Sequence, residues 1–465
     1  MMRFLTAILA LVMLAACGAG ASNSAFQPTS LGRSGTSGST PIQHIVVIVQ
    51  ENRSFNNLFA TFPGVTGTTT GWEKVIVNSQ SVRKKIKLRK VHLGDETDLN
   101  HLYKSFLTAY DGGKMDGFNQ IIFQVNGKPE GKLPYEYVNP ADVTPYWTMA
   151  GDYSIANAMF QTQGSGSFTA HQDLIRGGTE LSSTESLIDD PTSPEVWGCD
   201  SPAGTKTDLI TTSLHYEQDK GKEPCTTDFP NPSYYKTLQD LLDAKSVTWK
   251  YYTPPLVKKM PGALWNAFDV IAAVRHGSEW GTNVSWPQTN IFTDITSGTL
   301  PAVSWVIPDG MESDHPGYSP DKGPSWVASI VNAIGQSSYW DSSAILVVWD
   351  DWGGFYDSVA PPSPDQQGGP GFRVPMISIS PYTAYNGSGK SPYISNTVYG
   401  FGSVVRFIED TFNLGRLGTT DGTSNSIDDM FNFSQTPRSF TVIPSKYSRS
   451  YFLHQKPSGL PVDTE

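Results

Sequence analysis

Two pairs of oxygen-bearing side chains lie close behind apolar runs in this sequence. Asp350 and Asp351 directly follow the apolar residues 344–349, and Glu51 and Asn52 come shortly after a second such run. Unbroken apolar runs are typical of strands buried on both faces. Ligands bind beyond the carboxyl ends of strands in open α/β sheets, and adjacent acids there repel each other unless a cation or proton intervenes. We predict that both pairs converge on one divalent metal ion; the alternative is a polar turn after a core strand.

The type of ion is only partly determined by these ligands. Glu51, Asp350 and Asp351 would bring three negative charges to one cation, which explains how the acids tolerate each other. Oxygen donors suit Ca²⁺, Mg²⁺ or Mn²⁺, and zinc becomes an alternative if a histidine joins them.

A turn rich in glycine and serine, residues 164–167, precedes a predicted helix. Such a turn can present a hydroxyl at the helix start, where N–H groups and the positive end of the helix dipole attract a phosphate. Taken alone, a Gly/Ser cluster is more typical of an ordinary loop.

Two histidines are candidates for acid–base chemistry. His315 lies between the predicted strand 302–307 and a helix that leads into the strand at 344–349, which is a βαβ pattern with parallel strands. This pattern places His315 at the sheet edge that carries the paired aspartates. His101 lies in a polar stretch before a predicted helix, a position more typical of a surface residue.

The alternation of strands and helices predicts an α/β fold with a largely parallel sheet flanked by helices. The βαβ helix is predicted to begin with Ser325 as its cap and to end at Gly335, and a later helix to close at Gly415. Residues 373–380 form a further predicted strand. The region 185–300 is rich in loops, which predicts insertions around the core.

Composition narrows the class of protein. The formal net charge is −11, which argues against a nucleic-acid-binding surface and against nucleic acid as a partner. Apolar residues make up 38% of the 465, so a large core is expected rather than disorder.

The N-terminus predicts export. Residues 1–16 have a positive start at Arg3 and an apolar run over 4–14 that is too short to span a bilayer. The sequence Leu-Ala-Ala-Cys17 resembles the bacterial lipobox, so Cys17 is predicted to be lipidated and to anchor the chain to a membrane; the alternative is an ordinary cleaved signal. Residues 17–40 then form a flexible tether. The predicted location is the bacterial cell envelope, outer membrane or periplasm, or the secreted fraction.

Beyond the tether we predict one catalytic domain over residues 41–440 and a C-terminal tail over 441–465. Cys199 and Cys225 are predicted to form a disulfide in an exported chain, stabilising it by roughly 3 kcal/mol. No CxxC motif or Cys/His cluster surrounds either cysteine in the sequence, which argues against a metal role.

Six motifs occur in an order that resembles a known family. They are Glu51-Asn-Arg-Ser-Phe55, Gly113-Lys-Met-Asp-Gly-Phe118, Gly166-Ser-Phe-Thr-Ala-His-Gln172, Trp197-Gly-Cys-Asp200, Ser313-Asp-His-Pro316 and Asp350-Asp-Trp-Gly-Gly-Phe-Tyr-Asp357. Together they resemble the bacterial phosphoesterase family of phospholipases C and related acid phosphatases, over residues 41 to about 435. The resemblance implies a core similar to the alkaline phosphatase superfamily.

The resemblance also implies roles for individual residues. The metal ligands of the family would fall on Glu51, Asn52, Asp350 and Asp351. Its nucleophilic hydroxyl would fall on Ser167, with Ser165 as the alternative because this loop carries one extra residue. The histidines of its site correspond to His101 and His315.

Three positions depart from the family pattern. Asn56 stands where the family has aspartate, Ser358 where it has histidine, and Thr169 where it has proline. None of these is a predicted ligand, but Asn56 and Ser358 bear on rate and substrate preference.

These observations predict a metal-dependent phosphoric ester hydrolase that acts through a phosphoserine, with a phospholipid as substrate in phospholipase C-type cleavage. The alternatives are a broad-specificity acid phosphatase for small phosphomonoesters and a catalytically inactive, surface-anchored binding protein. Arylsulfatase chemistry is disfavoured because the sequence lacks a Cys/Ser-x-Pro-x-Arg motif.

Overall fold

The computed structural model describes residues 40–191, 198–226, 230–231, 233–255, 265–318, 321–362 and 367–459. The predicted export signal, Cys17 and the tether up to residue 39 lie outside the described residues, as does Trp197 of the fourth motif. Within these ranges, no helix combines the length and apolar character needed to span a membrane.

The regular elements alternate along the chain. The strands are β1 His44–Gln50, β2 Thr70–Val77, β3 Gln80–Lys87, β4 Arg89–Val91, β5 Glu136–Val138, β6 Ser154–Ala156, β7 Glu185–Ile188, β8 Asp208–Thr211, β9 Tyr216–Glu217, β10 Trp249–Tyr252, β11 Val284–Ser285, β12 Val303–Val306, β13 Ser343–Trp349, β14 Met376–Ile379 and β15 Tyr393–Ser395. The α-helices are α1 Phe55–Phe59, α2 Tyr103–Tyr110, α3 Thr144–Asp152, α4 Ser167–Arg176, α5 Leu238–Ala244, α6 Ala272–Arg275, α7 Asn290–Ser297, α8 Gly323–Gly335, α9 Phe401–Phe412 and α10 Arg449–Leu453.

The central sheet has the strand order β11-β10-β12-β1-β13-β14-β6-β15. Neighbouring strands are parallel except where β14 runs antiparallel to β13 and β6. Because β14 alone is reversed, the sheet is largely parallel, and with its flanking helices it confirms the predicted α/β class.

β1 lies at the middle of the sheet between β12 and β13, and its residue Ile45 pairs with both Val303 and Ala344. The apolar residues of β1 and β13 are buried because neighbours cover both faces, as the unbroken apolar runs predicted. Both β12 and β13 are parallel to β1, so the predicted βαβ unit is confirmed, with β1 inserted between its two strands.

Two predicted helix ends were wrong, for identifiable reasons. α8 begins at Gly323, with Pro324 in its first turn, because proline fixes a helical φ and starts the helix before Ser325. Ser325 instead accepts a hydrogen bond from the backbone N–H of Tyr447 at 3.3 Å. α9 ends at Phe412 rather than near Gly415, because Asn413 adopts the left-handed conformation at φ 51° and closes the helix.

A second apolar cluster lies beside the main core and supports the loop after β13. Aromatic residues dominate this cluster, and the rings of Trp352, Tyr356 and Phe372 all pack around Phe118. Ring contacts therefore fix the loop that carries the paired aspartates.

Cys199 and Cys225 are bonded to each other, with their Cα atoms 4.7 Å apart, as the sequence predicted. Along the chain, Cys199 lies between β7 and β8 and Cys225 follows β9, within the predicted loop-rich region. Near the C-terminus, Phe452 of α10 packs against Trp326 of α8.

Candidate active site

The two predicted oxygen pairs lie side by side because their strands are neighbours in register. Gln50 at the end of β1 pairs with Trp349 at the end of β13, so the next residues of both strands emerge together. The backbone N–H of Asn52 donates to Oδ1 of Asp350 at 2.9 Å. These groups are fully buried. Parallel pairing alone thus brings residues about 300 positions apart into one cluster.

Gly353 permits the close approach of the two loops. Its φ is +58°, a region that side chains disfavour, and a Cβ at this position would lie 2.1 Å from the carbonyl oxygen of Asn52. The glycines after the paired aspartates therefore provide the sharp turn that the sequence indicated.

Glu51, His171 and Asp350 form a buried group that could hold a metal ion, with one ligand atom from each lying within 4.8 Å of the others. Nε2 of His171 lies 3.3 Å from Oε2 of Glu51 and 3.8 Å from Oδ2 of Asp350. Sequence reasoning missed His171 as a ligand. The available signal was its place in the motif that also contains Ser167, on the same helix α4.

The protonation of this group suits a cation. Burial lowers the pKa of His171 to about 4, so its imidazole is neutral at pH 7 and has a lone pair to give. Burial and then the charge of Asp351 raise the pKa of Asp350 to about 6. Buried carboxylates require a compensating positive charge, and neutral imidazole with carboxylates is a common donor set for divalent metals. The residues present therefore fit a metal ion.

Asp351 faces a different set of partners from Asp350. Its Oδ2 accepts a hydrogen bond from Oγ of Ser167 at 3.1 Å and lies 3.2 Å from Nε2 of His101. Its Oδ1 accepts from the N–H of Gly353 at 2.8 Å. The serine hydroxyl, the carboxylate and the imidazole thus form one buried chain of contacts.

The hydrogen bond of Nδ1 determines the tautomer of His101. Nδ1 lies 2.7 Å from the carbonyl oxygen of Leu99, which only an N–H can satisfy, so Nδ1 carries the proton. Nε2 of the neutral ring then accepts from Nδ2 of Asn52 at 3.0 Å. Its lone pair also faces a carboxylate oxygen of Asp351, an arrangement that a shared proton or a cation stabilises.

Ser167 opens α4, and Gly166 precedes it as the cap residue. One N–H group of this helix start is already used, because Phe168 N–H donates to Oδ1 of Asp190 at 3.2 Å. The predicted phosphate position at the helix start is therefore shared with a nearby carboxylate.

Ser165, the alternative nucleophile, is bound into the scaffold. Its Oγ accepts from Thr169 Oγ1 at 2.6 Å and from the backbone N–H of Asp189 at 2.7 Å. Thr169, which replaces the proline of the family, thus takes part in holding Ser165. Ser167, in contrast, points to Asp351.

His315 is buried, and Trp265 links its ring to that of His171. Its ring packs on Tyr318, and Trp265 lies next to both His315 and His171, with ring centroids 6.0 and 6.5 Å away. Nδ1 of His315 lies 2.7 Å from the carbonyl oxygen of Pro316.

Arg53 joins the loop of His315 to the loop of Glu51. Its guanidinium donates twice to the carbonyl oxygen of Asp314, at 2.6 and 2.8 Å, and pairs with Glu96 at 2.7 Å. The Asp314 side chain accepts from Nε1 of Trp349 at 3.0 Å. Arg53, a residue of the first motif, is thus a buried connector between two loops.

Asn56 and Ser358, which depart from the family pattern, lie in different surroundings. Asn56 exchanges two hydrogen bonds with the backbone of Thr68, at 2.8 and 3.1 Å, which an aspartate could not do in full. Ser358 lines a surface cavity of about 290 Å³ under the β2–β3 hairpin.

The sheet and the carboxylates beyond its central strands define an α/β protein with a candidate ligand site at the carboxyl edge of a largely parallel sheet. A family model described as the Phosphoesterase family matches residues 42–415. The chain belongs to this family, which confirms the resemblance drawn from the six motifs.

Two curated relatives are similar to this chain over most of its length. The non-hemolytic phospholipase C of Pseudomonas aeruginosa is 24% identical over 418 residues, covering 80% of this chain and 54% of that protein. Phospholipase C A of Mycobacterium tuberculosis is 23% identical over 453 residues, covering 86% of this chain and 79% of that protein. The chain thus spans about half the length of the Pseudomonas protein.

Among solved structures, a protein in the alkaline phosphatase superfamily from Vibrio parahaemolyticus aligns with a TM-score of 0.36 and 11% identity. This alignment covers 85% of this chain and 73% of the other.

Proposed function

We propose that this protein hydrolyses phosphoric esters through a phosphoserine on Ser167, with phospholipids as substrates in phospholipase C-type cleavage. The observation that carries the proposal is the hydrogen bond from Ser167 Oγ to Asp351 Oδ2 at 3.1 Å, beside His101 and the group of Glu51, His171 and Asp350. The likeness to phospholipases C of two bacteria supports the choice of substrate class.

The first half of the reaction uses the contacts of Ser167. Asp351 accepts the hydroxyl proton as Oγ attacks phosphorus, and the bond from phosphorus to the alcohol oxygen breaks. Nε2 of His101, which contacts the same carboxylate oxygen, takes this proton from Asp351 and passes it to the alcohol oxygen that leaves, so the serine proton ends on the alcohol. His315 is the alternative group for this proton transfer, and its ring lies next to Trp265.

The second half restores the serine. A water molecule attacks phosphorus of the phosphoserine, and its proton passes to Nε2 of His101 and then through Asp351 to Oγ as the bond between Oγ and phosphorus breaks. General acid–base help of this kind typically contributes on the order of 10²–10⁴-fold.

A divalent ion would be held by Glu51, His171 and Asp350, with the predicted ligands Asn52 and Asp351 alongside. When bound, it would neutralise charge on the phosphate oxygens and lower the pKa of a bound hydroxyl. The imidazole in this set keeps zinc among the candidates with Ca²⁺, Mg²⁺ and Mn²⁺.

The test compares Ser167→Ala with Ser165→Ala on p-nitrophenylphosphorylcholine and p-nitrophenyl phosphate, with and without chelator. Ser167→Ala should lower kcat by roughly 10³-fold or more and abolish a phosphorylated enzyme on acid quench, with metal content unchanged. Ser165→Ala should reduce thermal stability, because two hydrogen bonds end on Ser165, yet still form the phosphoenzyme.

Each other outcome selects an alternative. A phosphoenzyme in Ser167→Ala that is missing in Ser165→Ala moves the nucleophile to Ser165. Turnover of the monoester alone favours an acid phosphatase. Hydrolysis of neither substrate by metal-loaded protein favours the inactive binding protein.

We further propose that the chain is exported and anchored through a lipidated Cys17. The proposal rests on the residues of the N-terminus alone. Cys17→Ser should shift the expressed protein from the membrane fraction to the soluble fraction.

A further inference from the structure

A strongly basic segment stands out in this acidic chain. Residues 83–90 contain six basic side chains and no acidic one, in a protein of net charge −11. The segment covers most of β3 and runs into β4, and its six basic residues are exposed: Arg83, Lys84, Lys85, Lys87, Arg89 and Lys90. Its charge is concentrated in one place rather than spread over the surface.

In the part of the chain that the structure describes, acidic side chains pair with two of these six basic residues. Arg83 pairs with Asp116 at 3.4 Å, and Arg89 pairs with Glu136. The four lysines of the segment form no ion pair with any residue in the ranges that the structure describes. A patch with four such cations attracts an anionic partner.

The tip of the same hairpin is apolar and exposed. β2 and β3 are joined by Asn78 and Ser79, both with positive φ, as in the tight turns that suit hairpins. Around this turn, Ile76 is 69% exposed, Val77 48% and Val82 42%. Three exposed aliphatic side chains thus lie around one turn, Val77 and Val82 on one face of the hairpin and Ile76 on the other.

The base of the hairpin is fixed to the loop of the candidate site. Tyr135 donates its hydroxyl to the carbonyl oxygen of Trp72 at 2.8 Å, and Asn119 bonds both backbone groups of Lys74, at 2.8 and 3.1 Å. The ring of Tyr356, five residues after Asp351, packs directly on Gly71, where a Cβ would clash. The hairpin therefore packs directly on the loop that follows Asp350 and Asp351.

We propose that the segment 70–90, the docking hairpin, binds the surface of a membrane that contains anionic phospholipid. An apolar tip with flanking lysines is the combination that interfacial elements use: the aliphatic side chains enter the acyl boundary and the cations stay at the headgroups. A nucleic acid would engage the lysines but leaves no use for the apolar tip, and the acidic remainder of the chain repels it. The inference goes beyond the proposed reaction and does not require turnover.

The experiment measures vesicle co-sedimentation of the full chain carrying Cys17→Ser, which removes lipidation, and Ser167→Ala, which leaves the lipids intact. The vesicles contain phosphatidylcholine alone or with phosphatidylglycerol. The docking variant is Lys84→Gln with Lys85→Gln and Lys87→Gln, and the matched control, with the same charge change, is Lys220→Gln with Lys222→Gln and Lys245→Gln.

The parent should prefer the anionic vesicles, and added salt should weaken its binding. The docking variant should lose about 100-fold in affinity, since each lysine near an anionic surface contributes roughly fivefold, whereas the control should bind as the parent does. Replacing Ile76 and Val82 with serine should weaken binding while keeping its salt dependence. Unfolding temperatures of all variants establish that each is folded.

Equal binding of the parent and the docking variant to anionic vesicles would overturn the proposal. So would lysine-dependent binding to an oligonucleotide without vesicle binding, or lysine-dependent self-association in sedimentation velocity. Cleavage of p-nitrophenylphosphorylcholine by the protein with Ser167 intact is measured separately, so failure of the proposed reaction and failure of docking give different results.

Discussion

At the residue scale, the two adjacent aspartates have separate partners. Asp350 faces Glu51 and His171, whereas Asp351 faces Ser167 and His101. Consecutive residues beyond a strand end point in different directions, so one dipeptide can serve both a cation position and a nucleophile. The charge of Asp351 also helps to raise the pKa of Asp350.

His171→Ala should lower metal affinity by at least about 10-fold, because it removes the nitrogen donor and leaves only oxygen ligands. Metal content after dialysis against a graded chelator series measures the effect. His454→Ala, an exposed histidine of the C-terminal segment, serves as the control. A His171→Ala protein that keeps its metal as the parent does would remove His171 from the ligand set.

At the element scale, the site depends on two neighbouring strands ending at the same level. The register of β1 and β13 sets which residues emerge together, and the turn at Gly353 lets the loops touch. A shift of one residue would turn every side chain of the strand to the other face.

Gly353→Ala should reduce both metal content and turnover, because a Cβ there meets the carbonyl of Asn52 and the positive φ disfavours a side chain. Gly387→Ala is the matched control, since no atom lies within 4 Å of a Cβ at that position. Metal analysis and kcat/KM are compared for the two variants. Normal values for both in Gly353→Ala would show that the loops can move apart without loss of the site.

At the scale of the whole molecule, the domain buries acids that hold protons near neutral pH. Burial raises the pKa of Glu130, Glu312 and Glu409 to about 8 each. In the unfolded chain such groups ionise near 4.5, so between about pH 4.5 and 8 folding takes up protons at these sites. Their contribution to stability therefore falls as pH rises through this window.

Glu312→Gln isolates one of these groups. Gln288 donates to Oε2 of Glu312 at 2.6 Å, and an amide can accept the same bond without titrating. The variant should gain stability relative to the parent as pH rises from 5 to 8, measured by denaturant unfolding at several pH values. A difference that stays constant over this range would show that Glu312 folds in its ionised form.

Local sequence patterns predicted the buried strands and the residues at their ends. Unbroken apolar runs predicted the buried strands, and the oxygen-bearing pairs 51–52 and 350–351 follow shortly after two of these runs. The motif around Ser167 also marked its helix start. These features depend on residues close together in the chain, so the sequence alone is enough to predict them.

Tertiary structure alone decided how those residues share the work. Whether Ser165 or Ser167 faces Asp351, and whether His171 joins the carboxylates, depends on how α4 packs against the ends of β1 and β13. Contacts between residues more than 100 positions apart leave no periodic pattern in the sequence, because strand order and packing determine them rather than local spacing. The sequence thus determined which groups gather at the sheet edge, and packing determined which of them touch.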